Sequence, residues 1–444
     1  MRDYRAVADA VAAEIASGKL APGMRLPPQR GFAYEQGIAV STASRVYAEL
    51  ARRGLVTGAV GRGTFVRAPE TLRAARNGEV TETAVDLLVA MSMSLEQAAL
   101  LAPALKPLSG PAALYGALDA LGPFGPKGAG ETVAGFLGHK RWTPEPSDIL
   151  FAGGGRQAIA SAVAALCKPG DRIGVEPLTY PAITRLASHL GVDLVPIDID
   201  GEGIDIAALA RVHRAKPLAA LYIQPSVHNP LGISMKPARR EALAQALRKL
   251  GLVCIEDAAF AFLSDAAPLV AYAPDRVVFV DSMHKRIGPG TGLGFIVAPR
   301  QVRDRAAAAM RAGGWIGSSL SMHLVLSWIA DGTAARVADL KRQDAHARQA
   351  LAAEILGGAR RSADRNAFHL WLELPPHWLA DAFVSAAALR GVAITPASAF
   401  AVTPGNAPNA VRIAISAPPL KELERGLNVL RELLAAMPNE VAME

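Results

Sequence analysis

Residues 276–300 read RVVFVDSMHKRIGPGTGLGFIVAPR. Val277 to Val280 is an apolar run of strand length. It breaks at Asp281-Ser282, presents His284-Lys285, crosses a glycine- and proline-rich turn from Gly288 to Gly292, and returns as a second apolar run, Leu293 to Ala298. Lys285 therefore falls at the carboxyl end of a buried strand, where open α/β sheets form their ligand crevices. A lysine desolvated at such a place becomes nucleophilic enough to form a Schiff base. The same lysine on a solvated loop carries no chemistry, and this stretch alone leaves both readings open.

Working outward, apolar runs of four to six residues alternate with helical segments. Ile149–Ala152, Arg172–Val175, Leu194–Ile197, Ala219–Ile223 and Leu252–Ile255 read as further strands, with Arg156–Cys167, Pro181–Leu190 and Pro237–Leu250 as helices between them. This alternation predicts a mostly parallel sheet covered on both faces. The chain from Arg300 to about Leu356 reads as helical. Phe368–Leu374, Val392–Ile394, Val411–Ile415 and a helix from Pro419 form a smaller α+β region.

Five points on this body fall in one order. FAGGGRQAI (Phe151 to Ile159) is a strand, a glycine run and a helix start, whose bare N–H groups suit a phosphate. VEPLTYPAI places Tyr180 after a strand, positioned to stack on a planar ring. YIQPSVHNPLG sets Asn229 in a turn. LVCIEDAAF ends a buried strand on Asp257, whose carboxylate can keep a pyridine nitrogen protonated. Lys285 follows Ser282 by three. Singly, each has a plainer reading: core aromatic, simple turn, helix cap. Together they resemble the fold type I pyridoxal-phosphate enzymes of the aspartate aminotransferase superfamily over most of residues 100–444. That resemblance implies pyridoxal 5'-phosphate as cofactor and Lys285 as the Schiff-base lysine. It further implies Asp257 on the pyridine nitrogen, Asn229 on the ring hydroxyl, Tyr180 on the ring face, and Gly155, Arg156 and Ser282 on the phosphate. Arg412, in AVRIAIS, matches the arginine that grips a substrate carboxylate as a bidentate fork.

The first 80 residues carry twelve Lys/Arg against seven Asp/Glu, so +5 of the net +7 lies there. A basic module on a near-neutral body points to nucleic acid. Val7, Val11 and Ile15 mark an amphipathic helix over Tyr4–Ser17. A short helix follows from Gly31 to Gln36 and stops at Gly37. A third runs from Val40 to about Arg53, and Leu55 to Val66 reads as a hairpin with Arg62 at its tip. Leu26-Pro27, Arg30, Gly37, Ser41-Thr42, Gly54-Leu55 and Gly61-Arg62-Gly63-Thr64-Phe65-Val66 resemble the GntR-type winged helix-turn-helix. By that resemblance Arg30, Ser41, Thr42, Ser44 and Arg45 approach double-stranded DNA, and Arg62 enters the adjacent groove. Arginine suits guanine or phosphate, and Ser/Thr at a helix start suits phosphate.

A winged helix joined to such a body resembles the MocR-type subfamily of GntR transcriptional regulators. The implied layout is a DNA-binding domain at 1–68, a linker at 69–84, a large domain at 85–335 and a small domain at 336–444. The chain departs from the family pattern at several positions. Gly292 stands where an arginine commonly binds the phosphate, which leaves Arg156 and Arg286 as substitutes. Phe260 replaces a tyrosine, His284 a serine, Leu231 a threonine, and Ala39-Val40 a Ser-Arg pair.

The favoured reading is a regulator that senses pyridoxal phosphate or a small amine or amino acid at Lys285. The alternatives are a working aminotransferase with a tethered winged helix, and a scaffold that only dimerises. A homodimer is implied by the family and by two-fold operators. No uncharged apolar run suits a bilayer, the N-terminus lacks a signal-peptide pattern, and Cys167 and Cys254 are too few for a disulfide framework. The expectation is a cytoplasmic protein with both thiols in the core and no resident metal.

Overall fold

The computed structural model describes residues 3–17, 19–20, 24–59, 63–66 and 84–438. Two compact units emerge: Met1–Val89 with Leu351–Arg361 and Trp371–Glu444, and Ala90–Ala350 with Ser362–Leu370.

In the first unit, α1 (Tyr4–Ala16), α2 (Gln29–Gln36), α3 (Val40–Arg52), β1 (Val56–Ala59) and β2 (Gly63–Val66) succeed one another. The four-residue spacing puts Val7, Val11 and Ile15 in a core with Phe32, Val46, Leu50 and Val66. Gly37 ends α2 at φ 62°, in the left-handed region that glycine enters without steric cost. The turn that follows lets α3 pack across α2. β1 and β2 pair antiparallel, Val56 opposite Val66. Glu49 accepts from both Arg52 and Arg53, which holds its carboxyl down at about 2.

A four-stranded sheet runs in the order Arg361–Ser362, His369–Glu373, Ala410–Ala414, Thr395–Pro396. Thr395 lies opposite Arg412 in its register. The short strand Val85–Asp86 pairs parallel to Val392–Ala393.

The second unit holds a seven-stranded sheet. In chain order its strands are β3 (Ile149–Ala152), β4 (Arg172–Val175), β5 (Asp193–Pro196), β6 (Ala220–Ile223), β7 (Cys254–Asp257), β8 (Val277–Ser282) and β9 (Gly294–Val297). Their order across the sheet is β3-β9-β8-β7-β6-β4-β5. All neighbours are parallel except β9, which runs antiparallel to β8 and β3. The turn between β8 and β9 is too short for a crossover helix, so the chain must reverse there. Strands β3, β6, β7, β8 and β9 are buried along their whole length; β3, β6 and β9 are apolar throughout, while β7 and β8 each end on two buried polar residues. Helices α4 (Gly155–Leu166), α5 (Pro181–Leu190) and α6 (Pro237–Leu250) fall where the alternation placed them.

A further helix, Ile206–Ala215, was not legible in the periodicity. Its Asp205 cap accepts from the N–H groups of Ala207 and Ala208. Cys254 is buried, but Cys167 is only partly so, a correction to the core reading of both thiols. It lies just past the end of α4, where the burying face runs out. Among the described residues, no helix is long and apolar enough to cross a membrane.

Leu50 is fully buried in the small winged-helix core. Leu50→Ala should cost about 2–5 kcal/mol. A core of this size has little reserve, so calorimetry of the full chain should show one transition displaced downward, together with loss of DNA binding.

Candidate functional site

β7 ends on Asp257, and the end of β8 runs into one helical turn, Met283–Arg286, that carries Lys285. Asp257 is buried; Tyr222 of β6 donates to its Oδ2 at 2.6 Å, and the Ala259 N–H donates to its Oδ1 at 3.1 Å. Burial is the largest influence and pushes its carboxyl up to about 6, against the pull of the Tyr222 hydrogen bond. A positive charge placed beside it would draw it back down.

The half-buried Lys285 Nζ donates to the Ala90 carbonyl at 2.8 Å and lies 5.3 Å from the centre of the Phe260 ring. Its neighbour His284 is held neutral, lowered to about 4. Burial acts first, then the charges of Lys285, Arg156 and Lys341. Three cations thus act on one imidazole, which marks a region that favours an anion.

Gly154 caps α4 at φ 138° without a side chain, so the first N–H groups of that helix are open to a ligand. A Cβ on Gly155 would lie 3.1 Å from Ser282 Oγ, and one on Gly294 would lie 2.6 Å from the Gly154 carbonyl. Glycine at these positions leaves a cradle between the start of α4 and the end of β8. Tyr180 caps α5, and its hydroxyl accepts from Arg156 Nε at 3.2 Å. Asn229 is buried, follows His228 in a cis Asn229–Pro230 turn, and its carbonyl accepts from Gln224 Nε2 at 3.2 Å.

The cradle brings Gly155 and Ser282 together, and a hydrogen bond joins Arg156 to Tyr180. Arg286 is engaged elsewhere. It donates to the buried Asp281 at 2.6 Å and stacks 5.1 Å from the rings of both Phe136 and Phe262. Gly292 sits at φ 51°, a left-handed geometry in which a side chain is strained.

In the other unit, Arg412 is nearly buried, donates to the Leu88 carbonyl and to Thr395 Oγ1, and stands 5.0 Å from the Phe400 ring. Arg30, Ser41, Ser44 and Arg45 are exposed on α2 and α3, and Thr42 is half-buried. Arg62 lies outside the described residues.

Sequence reasoning passed over two residues. Tyr222 looked like an apolar strand position, although its ring ends in the hydroxyl that holds Asp257. Lys341 looked like a solvated helix lysine. It is fully buried, with its Nζ against the carbonyls of Ser92, Lys285 and Ile287.

Comparison with known proteins gives two family matches on this one chain. Residues 3–66 match the bacterial regulatory proteins of the gntR family, and residues 116–430 match aminotransferase class I and II. The HTH-type transcriptional regulator YdeF of Bacillus subtilis is 31% identical over 441 residues, 97% of this chain and 94% of its own length. The chain belongs to the MocR-type regulators. Another relative is the HTH-type pyridoxine biosynthesis transcriptional regulator PdxR of Corynebacterium glutamicum. It is 27% identical over 360 residues, 77% of this chain and 76% of PdxR. Among solved structures, an archaeal alanine:glyoxylate aminotransferase superposes with a TM-score of 0.74. It covers 82% of this chain and 94% of its own, at 22% identity, a likeness of fold alone.

The MocR architecture makes the winged helix a DNA-binding module and the body a fold type I pyridoxal-phosphate domain. The residues present suit that cofactor. A buried carboxylate stands at a strand end, a glycine cradle lies beside Ser282, and an amine-bearing turn adjoins them.

Asp257 supplies a pH test without cofactor. Its folded value lies above the ordinary carboxylate value. Its contribution to stability is therefore fully present below about pH 4 and is lost as pH rises through about 6. Asp257→Asn removes the titration. Urea unfolding of the cofactor-free protein should show the variant gaining on wild type by on the order of 1 kcal/mol between pH 5 and pH 7. A constant difference over that range would show that this carboxyl does not titrate there.

Proposed function

We propose that the chain is a DNA-binding transcriptional regulator whose aminotransferase-like body senses pyridoxal phosphate, or an amine captured by it, at Lys285. The observation that carries the reading is the pairing of Lys285 and Asp257 at neighbouring strand ends, beside the glycine cradle, on a chain that begins with a GntR-type winged helix. When bound, pyridoxal phosphate supplies an aldehyde that takes up amines reversibly.

In this proposal Lys285 presents its amine, Asp257 holds the pyridine nitrogen, Asn229 meets the ring hydroxyl and Tyr180 covers the ring. Gly155, Arg156 and Ser282 hold the phosphate. Arg286, paired with Asp281, braces the turn from behind. Arg412 receives the carboxylate of an amino acid effector, since such a charge cannot be buried unpaired. Phe260 offers no hydroxyl and Gly292 no guanidinium, which favours sensing over turnover.

We divide the chain into a winged helix at 1–68, a linker at 69–84, a large domain at 85–335 and a small domain at 336–444. The proposed assembly is a cytoplasmic homodimer on a two-fold operator. Arg30, Ser41, Thr42, Ser44, Arg45 and Arg62 face the DNA.

Borohydride reduction of the loaded protein followed by peptide mapping should label Lys285, and Lys285→Ala should abolish the label. Label on another lysine overturns the assignment. In the same preparation, operator affinity should change when the cofactor is added. Sustained release of keto acid from an amino acid would instead establish the aminotransferase alternative.

For the DNA module, Arg30→Ala should weaken binding on every sequence and reduce the slope of log affinity against log salt by about one. An unchanged slope would remove Arg30 from the phosphate contacts.

A further inference from the structure

Lys341 is 0% exposed, in the middle of the helix Thr333–Ile355. Its ammonium donates to the carbonyls of Ser92 at 2.6 Å, Ile287 at 2.9 Å and Lys285 at 3.2 Å. Three donors meet three acceptors, and all three acceptors are main-chain oxygens. A buried cation held without a carboxylate is costly, so a solvated or apolar side chain would be the easier choice here if packing were the sole requirement.

Two of the acceptors belong to the turn that carries Lys285. The third, Ser92, lies two residues beyond Ala90, whose carbonyl takes the Lys285 amine. Met93 also packs on this turn: a Cβ on Gly288 would lie 3.0 Å from its sulfur. Lys341 therefore fixes the backbone of Lys285 and, through Ser92, the segment that receives its amine.

We infer that Lys341 is a positioning residue for the cofactor site, setting the orientation and the electrostatic environment of the Lys285 amine from beneath. The inference rests on the reading of Lys285 as the cofactor lysine. Burial lowers Lys341 itself to about 8, and Asp344 on the same helix pulls the other way. The facing groups that carry or take charge are Lys285 and His284 on the turn, with Arg156 beyond them. Below about pH 8 Lys341 thus carries a positive charge against the backbone of the turn that bears Lys285.

The test uses full-length protein loaded with pyridoxal phosphate, comparing wild type, Lys341→Met and Lys341→Arg. Lys341→Met should weaken cofactor binding in equilibrium dialysis by about tenfold or more. It should also move upward, by roughly one unit, the pH at which the visible band of the Lys285-bound cofactor gives way to its near-ultraviolet band. Lys341→Arg keeps the charge and several donors, and should hold that midpoint near wild type. If the methionine variant does not fold, Lys341→Gln, neutral but still a donor, carries the same expectation. A neutral variant with wild-type affinity and midpoint overturns the inference, whatever its melting temperature. Lys285→Ala serves as control: persistence of the visible band there would overturn the underlying reading of the site, independently of Lys341.

Discussion

Two carboxylates side by side at the end of one buried strand organise this molecule. Glu256 and Asp257 follow each other on β7 and so face opposite sides of the sheet. Glu256 accepts from the N–H groups of Leu269 and Val270 at 2.8 Å and lies 3.8 Å from the Arg240 guanidinium. Arg240 in turn donates to the Pro225 and Met235 carbonyls and to Ser226 Oγ. That network fixes both ends of the turn containing Asn229. A partner missing from it would leave a charge stranded in a fully buried place. On the opposite face, Asp257 accepts from the Tyr222 hydroxyl and the Ala259 N–H, and burial pushes its carboxyl up to about 6 against both bonds. One face of the strand end is closed by pairing; the other is left receptive to a positive ring nitrogen.

The body and the winged helix show how differently sequence patterns carry information. Strand runs such as ILFA and VVFV are apolar throughout because both faces are covered, and their boundaries could be read within a residue or two. Asp257 stood out at the end of such a run, and Lys285 and Asn229 in the turns that follow two others. The partners of those residues did not. Tyr222 is an aromatic in an apolar strand, and nothing local distinguishes a core ring from one whose hydroxyl reaches the next strand. Lys341 occupies a helix rich in charged residues, where exposure is the ordinary expectation. Its burial depends on Ser92, 249 residues away. Arg286 had a readable partner in Asp281, five positions earlier, yet the glycine at 292 had suggested it as a substitute phosphate ligand.

Two departures from the family pattern, Gly292 and Phe260, fall at positions proposed for the phosphate and the ring oxygen, whereas Lys285 and Asp257, proposed for the amine and the pyridine, match it. Gly292 adopts a backbone that favours glycine, so the loss of the arginine there goes with a change of turn geometry as well as of charge. Phe260 is packed edge-on against Phe368, with its ring close to the Lys285 amine. What remains is the Lys285 amine, the Asp257 carboxyl and the glycines at the start of α4, on neighbouring strand ends.

Lys285 and Lys341 both grip the chain at 90–92 by its carbonyl oxygens. A main-chain oxygen is supplied by every residue type, so the grip is indifferent to the letters written there and sensitive only to their number. The grip itself does not select the residue types; the burial of Ala90 and Ser92 does, since a large side chain has no room at either place. A single-residue insertion or deletion would turn the oxygens of alternate residues to the wrong side. The two lysines therefore set the length of this segment, and packing sets the size of what is spelled there.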